Sequence, residues 1–292
     1  MKIGVGITAW NRPQYFSQMV ASLERNDTSD TEFHLFQDGV NCRYTGEPQC
    51  TEESVEDSLD VFKNSKLPKK FVHAWPDNVS IAINQYETVK FLRENYEYFI
   101  FMEDDIVLSK NFMPLMKVAL EQFKDHAEVA SISPGFRMLC SSDSESAKRY
   151  LDKMVFSEGH FWVEGCWSHK WERVEKEFMP YYKLITVNPY RKKELVERQI
   201  KRLFLDGGRS MMHVSQDQGK DWAIWRTGLK RLRMMINRAT GIGDIGFHNT
   251  PSNVAAAEAG LRHYDGSDWH NLILSPKEEL DIKEFKIYDY GS

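Results

Sequence analysis

An α/β fold with a mixed, mostly parallel sheet flanked by helices is what the sequence predicts, and three observations predict it. The chain opens on a strand, a polar turn and a helix. Apolar strand-like runs then alternate with stretches of helical periodicity as far as residue 135. A buried-type run, Tyr98-Phe99-Ile100-Phe101-Met102, stops abruptly at Glu103-Asp104-Asp105 before Ile106, Val107 and Leu108 resume the apolar character. Alternating strands and helices leave a parallel sheet as the natural product, because each helix carries the chain back to start the next strand in the same direction.

In order, Lys2 to Ala9 reads as a strand, broken by Trp10-Asn11-Arg12-Pro13, with Pro13 suited to a first helical position. Phe16, Met19, Val20 and Leu23 recur at helical spacing. Glu32 to Gln37 is the next strand, ending in Asp38-Gly39, which reads first as a turn. Residues 40–54 form a polar loop, residues 55–62 a helix, and 69–75 a third strand. A helix follows through Val89 and Leu92, with Ser80 and Asn84 near its start. After the acidic run come an amphipathic helix from Lys110 to Phe123 and a strand, Val129 to Ser133, closed by Pro134-Gly135. Residues 155–168 are dense in aromatic and small residues, with Gly159 and Gly165 permitting close backbone approach. Residues 188–209 are strongly basic and helical. A solvated face is the usual meaning of such a segment, and an anionic acceptor or a membrane surface the sharper one. Gln216 to Trp225 places Asp217 and Asp221 before and within a Trp-rich helix, and residues 238–250 form a loop with three glycines, suited to a lid.

The 292 residues and 41% hydrophobic content allow one large domain or two small ones with a sizeable core. Lys+Arg 38 against Asp+Glu 43, net −5, disfavours a nucleic-acid partner held through phosphates. No signal peptide and no apolar run near membrane-spanning length is evident, so a cytoplasmic location is expected. Cys42, Cys50, Cys140 and Cys166 lack zinc-like spacing; Cys42 and Cys50 would bridge only in an oxidising compartment, and free thiols are expected. A Gly-rich phosphate loop is absent, which excludes the dinucleotide fingerprint and the P-loop.

Three carboxylates at one strand end repel each other unless a cation neutralises them. Hard divalent ions, Mn²⁺ or Mg²⁺, match oxygen donors and commonly share their shell with substrate phosphates. A merely solvated acidic turn is the other reading, and the apolar flanks weigh against it. Strand ends of open α/β sheets are where ligands bind.

Glu103-Asp104-Asp105 after an apolar strand resembles the metal-binding acidic motif of nucleotide-sugar glycosyltransferases of the GT-A fold, most like the inverting N-acetylglucosaminyltransferase I type. That resemblance implies one catalytic domain over 1–292, with a nucleotide-binding half at 1–135 and an acceptor-binding half with a lid loop at 136–292. It implies that Asp105 ligates Mn²⁺ (or Mg²⁺) and that Glu103 and Asp104 face the donor. Thr8, Ala9, Asn11 and Arg12 would cradle the nucleobase, with Arg12 against a uracil, although on this stretch alone Arg12 is equally a surface arginine. Asp38 would accept from the uracil imide N–H, and Ser80 and Asn84 would touch the nucleotide or else be ordinary polar positions of a helix. Gly165 and Trp167 would shape the sugar and acceptor pocket. His248 would reach the diphosphate or the metal.

In the same family an acid at a helix start takes the acceptor proton. Asp221 is favoured over Asp217, although Lys220-Asp221-Trp222 keeps only the last two letters of the family's Trp-Asp-Asp-Trp. The implied activity is metal-dependent transfer from a UDP-sugar, UDP-GlcNAc among them, to a hydroxyl of a glycan or other acceptor, with inversion. The rival readings are a nucleotidyltransferase, which would ordinarily show a Gly-rich loop, and a non-catalytic carbohydrate-binding protein with a degenerate site.

Overall fold

The computed structural model describes residues 1–135, 149–159, 162–243 and 280–288. Its first half follows the alternation in the sequence: β1 (Ile3–Ala9), α1 (Pro13–Leu23), β2 (Thr31–Gln37), α2 (Glu52–Asn64), β3 (Lys70–Ala74), α3 (Ser80–Asn95), β4 (Tyr98–Glu103), β5 (Ile106–Leu108), α4 (Phe112–Phe123) and β6 (Val129–Ser133). The second half continues with β7 (Lys153–Ser157), β8 (Val163–Trp167), α5 (Ser168–Ile185), a 3₁₀ helix (Tyr190–Val196), α6 (Glu197–Asp206), α7 (Gln216–Arg226), β9 (Lys230–Met234), β10 (Ala239–Gly241) and β11 (Lys286–Ile287). The aromatic stretch expected as one unit is two strands, and the basic stretch is a 3₁₀ turn running into a helix.

Among the described residues nine strands form one sheet in the order β11-β7-β9-β6-β8-β4-β1-β2-β3, while β5 and β10 form a separate antiparallel pair. The ladders β1–β2, β1–β4, β2–β3 and β6–β9 are parallel. β8 runs antiparallel between β4 and β6, and β7 antiparallel to β9. The sheet is therefore mixed and mostly parallel, as expected.

Strand parity sorts the side chains onto two faces. Ile3, Val5 and Ile7 of β1, with Ile100 and Met102 of β4, pack among residues of α1 and α4. Phe99 and Phe101 of β4 face the other way, into a second core built from α3, α5, α6 and α7. β1 turns Gly4 and Gly6 to that second face. A Cβ at Gly4 would enter the Tyr96 ring, and one at Gly6 would strike Thr88 and Leu92. α3 thus lies directly on the backbone of β1.

From β1 the chain steps outward to β2 and β3, then returns through α3 to place β4 on the opposite side of β1. The crevice at the carboxyl ends of β1 and β4 is a topological switch point, the usual ligand position in an open α/β sheet. β4 ends there in Glu103, directly across from Thr8. Cys42, Cys50 and Cys166 are free thiols; Cys140 lies outside the described residues. Among those residues no helix is long and apolar enough to cross a membrane.

Two outcomes are expected from this packing. Gly4→Ala should lower stability by about 1–3 kcal/mol in chemical denaturation, the usual effect of overpacking. The second concerns His34 of β2, whose ring nitrogens lie 3.0 Å from His73 Nε2 and 2.6 Å from the Tyr96 hydroxyl. Glu32 and Lys2 are the other charged groups near it. Burial, then the neighbouring His73, holds His34 down at about 4 against an ordinary 6.5. Between those values the unfolded chain binds the proton and the folded chain does not. Stability should be full above the upper value and decline as pH falls toward the lower one. In His34→Asn that slope should flatten, as read by denaturation midpoints across the acid range.

Candidate functional site

The acidic run sits where β4 leaves the sheet and β5 begins. Parity sends Glu103 to the same face as Phe99 and Phe101, toward α7. Its backbone N–H donates to the Trp162 carbonyl at 2.9 Å. Burial, then the nearby charges of Asp105 and Asp217, raises the Glu103 carboxyl well above the usual range.

Asp104 and Asp105 turn back toward the end of β1. Arg12 donates to the Asp104 carboxylate and, through Nη1, to Asp105 Oδ2 at 2.9 Å. Asp104 also accepts from the Trp10 backbone N–H, and burial, opposed by Arg12, places its carboxyl at about 6. Burial works against the charge on Arg12, but Asp104 and Asp105 outweigh it and hold the guanidinium more firmly protonated than usual. Arg12 therefore lies on the acids rather than out over a base-binding surface. Opposite Asp105, the backbone of β10 closes in: Ile242 N–H donates to the Asp105 carbonyl at 2.8 Å. At the adjacent Gly243, any Cβ would collide with the Asp105 carboxylate.

Thr8 and Ala9 form the buried floor beside Glu103, and Asn11 and Arg12 the partly exposed turn above it. Asp38, at the end of β2, is buried and accepts from three backbone N–H groups: Val79 at 2.7 Å, Gly39 at 3.1 Å and Ser80 at 3.1 Å. These favour its charged form, yet burial prevails and pushes the carboxyl up to about 7. The Asp38 grip holds Ser80 at φ +73° as α3 begins, a left-handed conformation rare for a residue with a side chain.

Three of the expected residues have their side chains or Cβ positions engaged within the protein. Asn84 is turned inward, its Nδ2 donating to the Phe36 carbonyl at 3.0 Å and its Oδ1 accepting from Trp75 Nε1 at 3.1 Å. Its amide fastens α3 to the ends of β2 and β3 and does not face a nucleotide. Gly165 and Trp167 lie on the α4 face, where a Cβ at Gly165 would meet Met116 and Leu120, and Trp167 Nε1 donates to the Leu120 carbonyl at 2.9 Å. Trp167 pairs with Tyr98, at the opposite end of β4 from the acids. At roughly 3.3 Å per residue it is about 16 Å along the strand from Glu103. Both residues pack the core. His248 lies outside the described residues, as do residues 244–250 of the expected lid.

α7 approaches the rim from the second face. Ser215 caps it, accepting from Gln218 N–H at 3.3 Å, and Asp217 sits in the first turn, where a negative charge is favoured. Asp217 Oδ1 is buried with no hydrogen-bond partner among the described residues. Burial raises its carboxyl, opposed by Lys220 and Arg231. One turn on, Asp221 Oδ1 accepts from the Gly159 N–H at 2.9 Å, and burial brings its carboxyl to about 6.

Sequence reasoning missed the charges beneath these acids. Glu164 of β8 is fully buried between Lys220 Nζ and Arg231 Nη2, each 3.8 Å away. Alternation along Val163-Glu164-Gly165-Cys166 offered the signal, since Glu164 falls on the face toward α7.

Carboxylate oxygens suit Mn²⁺ or Mg²⁺, so the donor chemistry at the rim fits such an ion. Among the described residues no three His, Cys, Asp or Glu side chains converge to hold a metal.

No family model matches the chain, and no curated protein resembles it in sequence. Solved structures do resemble it. That of S. aureus TarS 1–349 aligns over 94% of this chain and 69% of that one, at TM-score 0.44 and 11% identity. The complex of TarS 1–349 with UDP-GlcNAc aligns over 48% of this chain, at TM-score 0.35 and 18% identity, and this chain covers 35% of that one, about a third. The mannosyltransferase PcManGT from Pyrobaculum calidifontis, in complex with GDP-Man and Mn²⁺, aligns over 96% of this chain and 85% of that one, at 0.41 and 10%. The galactosyltransferase LgtC, with donor and acceptor sugar analogues, aligns over 94% and 84%, at 0.40 and 14%. Each is a protein to which this chain is similar in fold.

Replacing Arg12 by Met leaves Asp104 and Asp105 facing each other without their cation. Because the Arg12 side chain is a quarter exposed, the loss should fall below that of a fully buried pair, at about 2–3 kcal/mol. The gap from the wild type should narrow on acidification, since protonating Asp104 removes the repulsion. Thermal unfolding at several pH values reads both effects.

Proposed function

We propose that this protein is a metal-dependent glycosyltransferase of the GT-A type, moving a sugar from a uridine-diphosphate sugar, UDP-GlcNAc among the candidates, to a hydroxyl acceptor with inversion. The observation that carries the proposal is the pairing of two acidic groups across the switch-point crevice: Glu103-Asp104-Asp105 at the end of β4, and Asp217 with Asp221 on α7. Asp217 lies near enough to Glu103 that its charge, with that of Asp105, raises the Glu103 carboxyl.

Inverting transfer asks for two things on opposite sides of the sugar: neutralisation of the departing diphosphate, and a carboxylate to take the acceptor proton. Asp105 would hold the Mn²⁺ or Mg²⁺, which when bound supplies the positive charge that the leaving group needs. Arg12 is a second cation at the same rim, placed to exchange its carboxylate partners for donor phosphate oxygens. Thr8, Ala9 and Asn11 supply the surface beside β1 against which a base would lie. Asp38, with three of its lone pairs already taken by backbone N–H groups, retains capacity for one more donor such as an imide N–H.

Between the two candidate bases the geometry favours Asp217 over the Asp221 expected from sequence. Asp221 is engaged by the Gly159 N–H and steadies that loop. The Asp217 oxygen lacks a partner among the described residues, an arrangement that a buried carboxylate tolerates poorly and that an acceptor hydroxyl would satisfy. Burial raises its carboxyl, with Lys220 and Arg231 opposing the rise, a direction that makes it a stronger proton acceptor than a solvated aspartate.

Thermal-shift measurement across a panel of sugar nucleotides, with and without Mn²⁺ or Mg²⁺, tests the function. A uridine-diphosphate sugar should raise the melting temperature in a metal-dependent way, and Asp105→Ala should abolish the metal-dependent part. If no sugar nucleotide shifts the wild type under any metal condition, the proposal fails. Once a donor is known, Asp217→Asn should lower turnover by roughly 10²–10⁴-fold with little change in donor affinity, the usual worth of a general base. Asp221→Asn, which keeps an Oδ1 to accept from the Gly159 N–H, should leave turnover nearly unchanged. The opposite ranking would return the base to Asp221.

A further inference from the structure

The proposed reaction leaves the basic segment at 188–209 unused. The whole chain carries a net charge of −5, yet this stretch holds seven Lys and Arg against three acids. Its inner side belongs to the core: Ile200 and Phe204 of α6 are fully buried. The Phe204 ring stacks on Tyr181 at 5.9 Å and meets Trp222 at 5.4 Å. Arg198, Arg202 and Leu205 recur at spacings of three, four and seven, so they share the opposite, outward side of the helix, and all three are exposed.

Large aliphatic side chains stand in water along the same segment and just beyond it: Leu195 at 63% exposure, Leu205 at 64% and Met212 at 82%. A single exposed Leu needs no explanation, but three within eighteen residues, set among arginines and lysines, form a pattern. A solvated surface helix would carry polar side chains at these positions. A nucleic-acid groove would be basic without aliphatic tips, and would more naturally carry aromatic platforms. Cationic heads interleaved with aliphatic tips complement an interface whose outer layer is anionic and whose layer beneath is apolar.

We propose that the outward face of the segment from Leu195 to Met212 docks on an anionic lipid bilayer, the arginines of α6 lying among the headgroups and Leu195, Leu205 and Met212 reaching below them. The core holds α6 in place through its inner side, so docking requires no refolding. The attachment is peripheral and reversible, consistent with a surface that offers a few aliphatic tips rather than a continuous apolar stripe. It is independent of whether the crevice performs sugar transfer.

Co-sedimentation of the full chain with phosphatidylcholine vesicles, with and without phosphatidylglycerol, tests this directly and needs no donor or acceptor. The wild type should pellet with the anionic vesicles and stay in the supernatant with the neutral ones, and added salt should release it. Arg198→Gln together with Arg202→Gln should weaken vesicle binding on the order of twentyfold, about fivefold for each cation removed near a charged membrane. Leu205→Ser should weaken it in addition. All three positions are exposed, and unchanged circular dichroism and melting temperature would show that the variants fold. The proposal is overturned if the wild type ignores anionic vesicles, binds both compositions equally, or binds them no less tightly in the triple variant. It is also overturned if sedimentation equilibrium shows that this face joins two copies of the chain without any affinity for vesicles.

Discussion

Mutual repulsion of carboxylates at the end of β4 is the constraint on which the rest of this site depends. Three acids in succession, with two more on α7 directed at the same rim, could not remain in a partly buried place without compensation. The protein supplies it from two directions. Arg12, delivered by the turn after β1, holds Asp104 and Asp105. Lys220 and Arg231, brought in by α7 and β9, flank Glu164 beneath and lower the carboxyl of Asp217. The acids are thus divided between two sets of cations, one exposed enough to exchange partners and one sealed in the core. An arrangement that served stability alone would more simply have replaced the acids, since buried ion pairs seldom surpass well-packed apolar side chains.

The crevice owes its position to topology. Because β4 returns to the opposite side of β1 from β2, the strand order reverses there, which is where open α/β sheets bind ligands. Asp38 organises the neighbouring side of that gap from within. By gathering the N–H groups of Gly39, Val79 and Ser80 it joins the end of β2 to the start of α3, and Asn84 repeats the fastening one turn later. Asp38 and Asn84, both expected from the sequence to touch a nucleotide, thus also brace this wall.

Legibility in the sequence differed sharply between the halves. Up to residue 133 most strands and helices could be read from periodicity, because the buried strands are continuous apolar runs and the helices are amphipathic, whereas β5 was not separated from β4 in the sequence. The reversed direction of β8 could not be read, since direction is set by which neighbours it meets and not by its own residues. That is why Gly165 and Trp167 were expected beside a sugar: small and aromatic residues suit a pocket and a packed sheet face equally, and only the register against Tyr98 and Ile100 separates the two. Glu164, Lys220 and Arg231 were passed over because charged residues are ordinarily on the surface, and their burial follows from pairing across three elements distant in sequence. β11 is two residues long and exists only because β7 offers a free edge. Asp104, Asp105 and Arg12 were each singled out in the sequence for separate roles, and their direct contact was not legible because it joins turns about ninety residues apart in the chain.

The bare backbone that β1 presents to α3 at Gly4 and Gly6 has a mechanical consequence. Only one layer of side chains, Tyr96, Thr88 and Leu92, separates helix from strand on that side, so there is little compliant material to absorb relative sliding. The slab formed by β1, β2 and α3 behaves as a stiff anvil. Any rearrangement at this rim would then fall on the other side, where the residues after β10 meet Asp105 and Arg12 holds the acids.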